Sequence, residues 1–430
     1  TISLILNGVR QVRLLLVLDG IEVLQEEAGS PEHGRINHTF LEQFLLQWVS
    51  SPHKGLMILT SRFHFTSLAR FSGVGFHHMD MVRLSAQDGI ALLDKLGVIG
   101  DSQLKGNYVE KLHGHPLALR VLASAVKRGC HGDLAQFKGE QILAAGDKDR
   151  LSQKLEHLLG FYERQLKNGQ KELLGIISLF KRPVEIKSFV TLLGNMKSLE
   201  NTPLAKANAA EIEKQLNLLI DDFLVEKTRD GITTHPVIRE YFRAGHKISG
   251  SRHEVADFLK ARPGAERPKN IEEVRDLVEA VQLLCDEGEF NMADNLVSRL
   301  CGSYEFNIFR DLPAVAEGLE LELAFVGDDA RIEKVEKILR KRNVSPHYSR
   351  ISIYNRILGN LPKALEWRNK SLEIMRQLLD KEYQAVDLFE ISLIEVAMGN
   401  IRQAGETVSQ ALNLSLQTRD SRDLQREFSF

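Results

Sequence analysis

A short apolar run near the beginning of the sequence, which stops abruptly at a carboxylate, constrains the fold more than any other feature. The run Leu14–Leu18 contains only leucine and valine and is followed at once by Asp19 and Gly20, with Glu22 close behind. This pattern is typical of a buried parallel strand that carries an acid at its carboxyl end. Open α/β sheets bind their ligands at that edge. We therefore expect Asp19 to lie at the ligand-binding edge of a parallel sheet.

Strand-like and helix-like segments alternate over roughly the first 130 residues. Leu56–Thr60 is a second apolar run that ends in polar residues, and Met79–Leu84 is a third. Between them, Phe40–Val49 has its apolar residues on one helical face, and Gly89–Leu96 follows the third run as another predicted helix. Strands that alternate with helices at this spacing predict a parallel sheet.

The sequence contains no G-x-x-x-x-G-K-[ST] phosphate-binding loop. Three strands are too few for a stable open sheet, and the first would expose an apolar edge of the kind that proteins avoid. We therefore expect the chain to be a piece of a longer protein, truncated before or at this loop.

The composition excludes several classes of protein. Lys and Arg (56) nearly balance Asp and Glu (58), so no bulk field favours nucleic acid or an anionic membrane. The 3 cysteines are scattered without a C-x-x-C, which favours a reducing, cytoplasmic environment. No apolar run approaches the roughly 18 residues that span a bilayer. We expect no membrane association and no nucleic-acid partner.

From residue 131 to 246 the sequence predicts helices followed by a small hairpin. Phe223–Thr228 and Ile232–Thr234 alternate as strands on either side of Asp230 and Gly231, a favoured turn dipeptide. Several helices followed by such a hairpin are typical of a winged helix. A stretch rich in Pro, Gly and charge, at 261–270, then predicts a linker.

The remaining sequence, assigned to residues 247–430, has the pattern of helical repeats. Glycines separate amphipathic segments at intervals of about 32–40 residues, and these are Gly288, Gly327, Gly359 and Gly399. After three of these glycines a small residue recurs at the same offset, as Ala293, Ala364 and Ala404. A glycine at a tight turn and an alanine at a helix crossing suit stacked helical hairpins, so we expect a TPR-like solenoid.

Three polar residues at the predicted strand ends are candidates for nucleotide chemistry. Asp19 is placed to bind Mg²⁺, although a strand-ending aspartate also starts turns. Arg62 follows the second run, and its planar guanidinium is suited to donate two hydrogen bonds to a γ-phosphate. The alternative is that Arg62 is an exposed arginine at the start of a loop. Glu22 is equally suited to orient an attacking water or to remain a surface acid.

Two further motifs combine histidine with proline. Gly114-His115-Pro116 predicts a helix start, and its proline is also suited to pack against an adenine ring. Thr234-His235-Pro236 follows the hairpin, where His235 is either structural or placed to approach a diphosphate.

Taken in order, these motifs resemble the STAND class of P-loop NTPases in its NB-ARC branch, also described as AP-ATPase-like. Leu14–Glu22 is similar to the Walker B strand of that class, and Leu56–Arg62 to its sensor 1. Gly114–Leu117 is similar to its G-x-P motif, and Thr234–Pro236 to its winged-helix histidine motif. Glu279–Ala293 resembles the transition into its helical repeats.

The resemblance implies ATP, ADP and Mg²⁺ as cofactors and a role for each matched residue. Asp19 would act on Mg²⁺ and Arg62 on the γ-phosphate. Gly114 and Pro116 would contact the adenine end, and His235 would lie near the β-phosphate of ADP. The expected domains are a partial P-loop NTPase core (1–130), a helical linker and winged helix (131–246) and TPR-like repeats (247–430).

The implied function is a signalling switch in which ATP or ADP controls opening and homo-oligomerisation, while the repeats bind a protein or peptide ligand. The sequence departs from the family at two points, because the Walker A lysine is absent and Gly20 stands where a second acid would follow Asp19. We therefore expect weak or no nucleotide binding by this chain alone, and hydrolysis stays open. The alternatives are a non-catalytic helical-repeat scaffold and a transcription regulator, each with a degenerate NTPase core.

Overall fold

A computed structural model describes residues 2–26, 33–36, 38–61, 63–80, 83–139, 151–167, 169–262, 264–301, 308–312, 314–327 and 329–418. The fold is predominantly α-helical and contains one small parallel sheet. The chain divides into two compact units. The first unit consists of Thr1–Met81 with Ile332–Phe430, and the second consists of Val82–Arg331.

Within the described residues, the helices of the amino-terminal half are α1 (Ile2–Gln11), α2 (Thr39–Ser50), α3 (Ala86–Lys95), α4 (Ser102–Lys111), α5 (Pro116–Cys130), α6 (Leu151–Glu163), α7 (Gln170–Ile177), α8 (Ile186–Asn195) and α9 (Ala209–Asp221). Those that follow are α10 (Pro236–Gly245), α11 (Ser251–Lys260), α12 (Ile271–Glu287), α13 (Phe290–Cys301), α14 (Ile308–Asp311), α15 (Val315–Leu323), α16 (Asp329–Leu339), α17 (Lys341–Ile357), α18 (Leu361–Gln377), α19 (Lys381–Ala397) and α20 (Ile401–Thr418). None of these helices has the length and apolarity that a bilayer crossing requires, as far as the described residues extend.

The predicted parallel strand pair is confirmed in the first unit. Strand β1 (Leu15–Leu18) pairs in parallel with β2 (Leu56–Leu59), residue for residue from one end to the other. The predicted helix between them is also confirmed as α2, whose amino end is capped by the side chain of His38. The inner face of the sheet packs on a core that contains Leu45 and Trp48.

Two expectations about the sheet are wrong. We expected a buried strand, but the outward side chains of both strands are 44–61% exposed, and these are Leu15, Val17, Leu56 and Ile58. Only alternate residues pack on the core, because side chains of a strand point to opposite faces and only one face is covered. The third run, Met79–Leu84, forms no strand in its described residues, and Met79 is 71% exposed. The last residue of this run, Leu84, is instead hydrogen-bonded to the loop before α5, because its N–H donates to the Gly114 carbonyl at 3.0 Å.

The predicted hairpin is confirmed in the second unit, although it is shorter than expected. Strands β3 (Glu226–Thr228) and β4 (Gly231–Thr233) pair antiparallel around a two-residue turn. Residues 223–225, which were expected in the first strand, lie outside it. Phe223, shortly after the end of helix α9, has a left-handed backbone conformation with φ 59°, which is not compatible with a strand. Ile232 exchanges two backbone hydrogen bonds with Val184, both at 2.9 Å. The hairpin is therefore anchored to the segment that precedes α8.

Helical hairpins at the expected glycines are also confirmed. Gly359 separates α17 from α18 and Gly399 separates α19 from α20, with φ of 83° and 84°. Ala364 and Ala404 are 0% and 4% exposed, as expected of small residues where helices cross. In the second unit, Gly288 joins α12 to α13 in the same way, with φ 90°. The expected match of Gly327 is wrong, because this glycine is not in the left-handed region.

Candidate functional site

Asp19 lies at the carboxyl end of β1, where the sequence predicts it. Its carboxylate is exposed and accepts a hydrogen bond from the Thr60 hydroxyl, which follows β2. The same hydroxyl accepts from the Gly20 N–H at 2.9 Å, and the Thr60 carbonyl accepts from the Ile21 N–H at 2.9 Å. Thr60 thereby fixes the backbone that carries Asp19. The sheet edge presents a carboxylate beside a hydroxyl, which are both oxygen ligands that Mg²⁺ prefers.

The other strand-end candidates are placed differently. Glu22 is half-buried within a short 3-10 helix, Ile21–Leu24. Arg62 lies outside the described residues, so its expected contact with a γ-phosphate stays a prediction.

A buried glutamine, which the sequence analysis did not identify, organises the loop beyond β2. Gln25 is 2% exposed, and its amide nitrogen donates to the Gly34 carbonyl at 2.8 Å and the His64 carbonyl at 3.1 Å. Its amide oxygen accepts from the Ser61 hydroxyl, and the Ser61 oxygen accepts from the Phe63 N–H at 3.0 Å. Ser61 is thus used to hold the loop. A lone glutamine in an ordinary sequence context gives no signal of this role.

Two histidine–proline motifs form matching helix starts in the second unit. His115 caps α5, where its Nδ1 accepts from the Ala118 N–H at 3.4 Å. His235 caps α10, where its Nδ1 accepts from the Val237 N–H at 3.3 Å. Each is followed by a proline at the first helical position, which needs no hydrogen-bond partner there. Because Nδ1 accepts, the neutral ring carries its proton on Nε2 and offers that N–H as a donor.

The pKa values of both histidines are lowered in the folded protein. Burial lowers the pKa of His115 below its ordinary value, and the charge that His235 carries when it is protonated and the charge of Arg83 lower this pKa further. Burial likewise lowers the pKa of His235, with Glu226 opposing the shift and Arg239 adding to it. Both imidazoles are therefore neutral near pH 7. Each motif therefore offers an Nε2–H donor beside a helix amino end, which attracts anions.

Gly114 has a structural explanation that the sequence did not supply. Its φ is 61°, and a Cβ there would lie 2.2 Å from the Leu84 carbonyl oxygen. The close approach of these two backbone segments requires a glycine. A cleft of about 560 Å³ opens beside it, with Arg83, Asn107 and Glu110 among its lining residues. Pro116, expected to contact adenine, is exposed.

Thr234, the first residue of the Thr234-His235-Pro236 motif, is buried. It is 2% exposed, and its hydroxyl oxygen is buried and has no hydrogen-bond partner among the residues that the structure describes. Buried hydroxyls are usually hydrogen-bonded, so this one is a position where an ordered water would be expected. It directly precedes His235 in the chain.

The comparisons with known proteins give a distant relative. No protein-family model matches the chain. An uncharacterized WD repeat-containing protein of Nostoc sp. is 24% identical over 283 residues, a match that covers 65% of this chain and 21% of that protein. The chain therefore spans about a fifth of the length of this relative.

Among solved structures, a signal transduction ATPase with numerous domains (STAND) and a tetratricopeptide repeat sensor, from Pyrococcus horikoshii, aligns at a TM-score of 0.45 and 17% identity. The alignment covers 98% of this chain and 65% of that chain, which is less than two thirds of its length.

Proposed function

We propose that this chain works as a nucleotide-dependent signalling switch of the STAND type. In this proposal ADP holds a closed form, ATP favours an open form that assembles with further copies, and the helical repeats sense a protein or peptide ligand. The switch is a population shift between two arrangements that bind the two nucleotides with different affinity.

The presence of two histidine-capped helix starts in the second unit is the observation that carries the proposal. His115 and His235 come from motifs that lie far apart in the sequence, yet each caps a helix by accepting a backbone N–H at Nδ1, from the third residue on at His115 and from the second at His235. Neutral imidazoles that donate through Nε2, together with two helix amino ends, suit the oxygens of a diphosphate. Thr234 precedes His235 in the chain, and its buried hydroxyl lacks a hydrogen-bond partner within the described ranges.

Asp19 is the proposed magnesium ligand. Mg²⁺ takes one or two carboxylates and fills its remaining positions with phosphate oxygens and water, and the exposed Asp19 carboxylate fits that requirement. Bound Mg²⁺ would neutralise charge on the phosphates. Thr60 would keep the carboxylate in place through its hydrogen bond. Arg62 at the γ-phosphate and Glu22 at a water are the remaining parts of this proposal.

The repeats are the proposed sensor because the last helix has an apolar stripe on its surface. Residues at spacings of seven and four along α20 are 38–71% exposed, and these are Ile401, Val408, Leu412 and Leu416. Exposed apolar stripes of this kind mark protein interaction sites. A protein or peptide ligand therefore suits this surface better than a small polar molecule.

Calorimetric titration of the full-length protein with ADP tests the proposal. We expect wild type to bind ADP, and His235→Ala to weaken binding by about 10–100-fold, which is the loss of one hydrogen bond to a charged group. His253→Ala is the matched control, because His253 lies on α11 in the same unit and forms a helix-surface pair with Asp257. Its affinity should equal wild type.

The rival scaffold makes the opposite prediction. A non-catalytic helical-repeat scaffold requires only the hairpins of α17–α20, so the full-length protein would bind a protein ligand through them and would not bind ADP. Equal ADP affinities of wild type and His235→Ala would show that His235 does not bind ADP, and the proposed switch would then lose its main support.

A further inference from the structure

A histidine–aspartate cluster lies on the surface of the first unit, away from any role given above. It consists of His64, His78 and Asp80, which each offer one ligand atom, and these atoms all lie within 4.8 Å of one another. The His78 Nε2 and the Asp80 Oδ1 form a hydrogen bond of 2.9 Å. The rings of His64 and His78 have their centroids 4.6 Å apart at an angle of 40°.

We propose that this cluster binds a divalent transition-metal ion, with Zn²⁺ as the preferred ion. Two imidazole nitrogens and one carboxylate oxygen suit Zn²⁺ and its neighbours, whereas Mg²⁺ and Ca²⁺ prefer oxygen ligands alone. Three protein ligands leave one tetrahedral position to water, as in open zinc sites. Nothing in the proposed nucleotide chemistry uses these three residues, so the two proposals stand independently.

The distances are close to those of a bound site. Metal–ligand bonds of about 2.0–2.1 Å place tetrahedral ligand atoms about 3.4 Å apart. The His78–Asp80 separation of 2.9 Å is already near that value. The widest separation, 4.8 Å at most, must shrink by about 1.4 Å to reach the tetrahedral value. Rotation of exposed side chains supplies such a change without moving the backbone.

The two segments that carry the ligands are held together by the residues next to them. Phe65, which adjoins His64, is 7% exposed, and Phe76 lies two residues before His78. Their rings meet edge to face at 6.3 Å, and both belong to the core beneath the sheet. The His64 carbonyl is also fixed by the Gln25 amide. The ligands therefore extend from anchored backbone, which is the support that a metal site needs.

A metal ion at this position would connect the segment that follows β2 with the segment that follows Phe76. The connection would stabilise the loop that Gln25 and Ser61 organise. Binding of an ion to the folded state alone raises the unfolding temperature by mass action.

Cobalt titration tests the site directly. Untagged full-length protein, stripped of metal by a chelator, is titrated with Co²⁺ while the visible absorption of the ion is recorded. We expect one Co²⁺ per chain, displaced by an equivalent of Zn²⁺, and a higher unfolding temperature in the presence of Zn²⁺. His64→Ala, His78→Ala and Asp80→Asn should each weaken binding by at least about tenfold.

His77→Ala is the matched control, because His77 is exposed and adjoins His78 but is not part of the cluster. It should bind Co²⁺ as wild type does. All four variants change exposed side chains, and circular dichroism would establish that they fold. Absence of Co²⁺ binding in wild type, or equal affinity in the cluster variants and His77→Ala, would overturn the proposal.

Discussion

Replacing the buried Glu279 by glutamine should remove a large part of the pH dependence of stability. Glu279 lies on α12, is 3% exposed, and accepts a hydrogen bond from the Lys181 backbone N–H at 2.6 Å. Burial raises the pKa of Glu279 to about 7 from its ordinary value of 4.5, and Asp276 adds to this rise while Lys181 and Arg243 oppose it. The folded state therefore holds this proton more tightly than the unfolded state does.

The sign and size of the effect follow from that difference in pKa. The contribution of Glu279 to the free energy of unfolding is fully present below pH 4.5. It decreases as the pH rises from 4.5 to about 7, and it does not change further at higher pH. Between pH 5 and pH 8 the loss in the free energy of unfolding is about 2–3 kcal/mol, at 1.36 kcal/mol per pKa unit. Glu279→Gln keeps an acceptor for the Lys181 N–H but has no proton to lose.

Urea unfolding at pH 5 and pH 8 measures the effect. The difference in the free energy of unfolding between the two pH values should change by about 2–3 kcal/mol in Glu279→Gln relative to wild type. Glu289→Gln, at an exposed position beyond the same helix, is the control and should leave the difference unchanged. If Glu279→Gln and the control behave alike, burial does not hold the proton on Glu279 and the reasoning fails.

Four other substitutions have defined outcomes. His246→Gln should remove a loss of stability on the acid side, because burial lowers the pKa of His246 to about 4 and wild type therefore loses stability as the pH falls from 6.5 towards 4; urea unfolding from pH 7 to pH 4.5 shows it. Gly114→Ala should destabilise by about 2–4 kcal/mol through its contact with Leu84 and its positive φ, whereas Gly194→Ala, in a helix with open space around it, should stabilise by about 0.5–1 kcal/mol in the same thermal unfolding assay. Asp19→Ala in the full-length protein should weaken Mg²⁺-dependent ATP binding, and an unchanged affinity would remove Asp19 from the proposed site.

Local sequence signals predicted local structure well. The apolar runs of β1 and β2, the turn before Gly231, and the glycines at 359 and 399 each specify their structure within a few residues. The helix starts at His115 and His235 are also specified locally, because a capping side chain followed by proline needs no distant partner. These features follow from backbone preferences that the sequence displays directly.

Features that depend on distant partners were not predictable. The exposed outer face of the sheet depends on which elements cover it, and the apolar pattern of the strands is equally compatible with burial on both faces. The effect of a charged His235 on the pKa of His115 depends on how distant parts of the chain are arranged, and the sequence shows no sign of it.

Buried polar networks were not predictable for the same reason. The repeat pattern predicts an apolar seam, yet Arg368 and Asp387 are 3% and 4% exposed and form an ion pair with a separation of 2.9 Å. Ser371 donates to the same carboxylate at 2.8 Å. Burial of such a pair is tolerated only when its groups are hydrogen-bonded, which depends on neighbouring helices and not on a local motif.

A double-mutant cycle on ADP affinity tests most directly whether the two capping histidines form one phosphate site. Calorimetry would compare full-length wild type, His115→Ala, His235→Ala and the double variant. If both rings bind the same diphosphate, the two losses should be non-additive by at least about 0.5 kcal/mol. Strictly additive losses, or no loss in either single variant, would contradict the account.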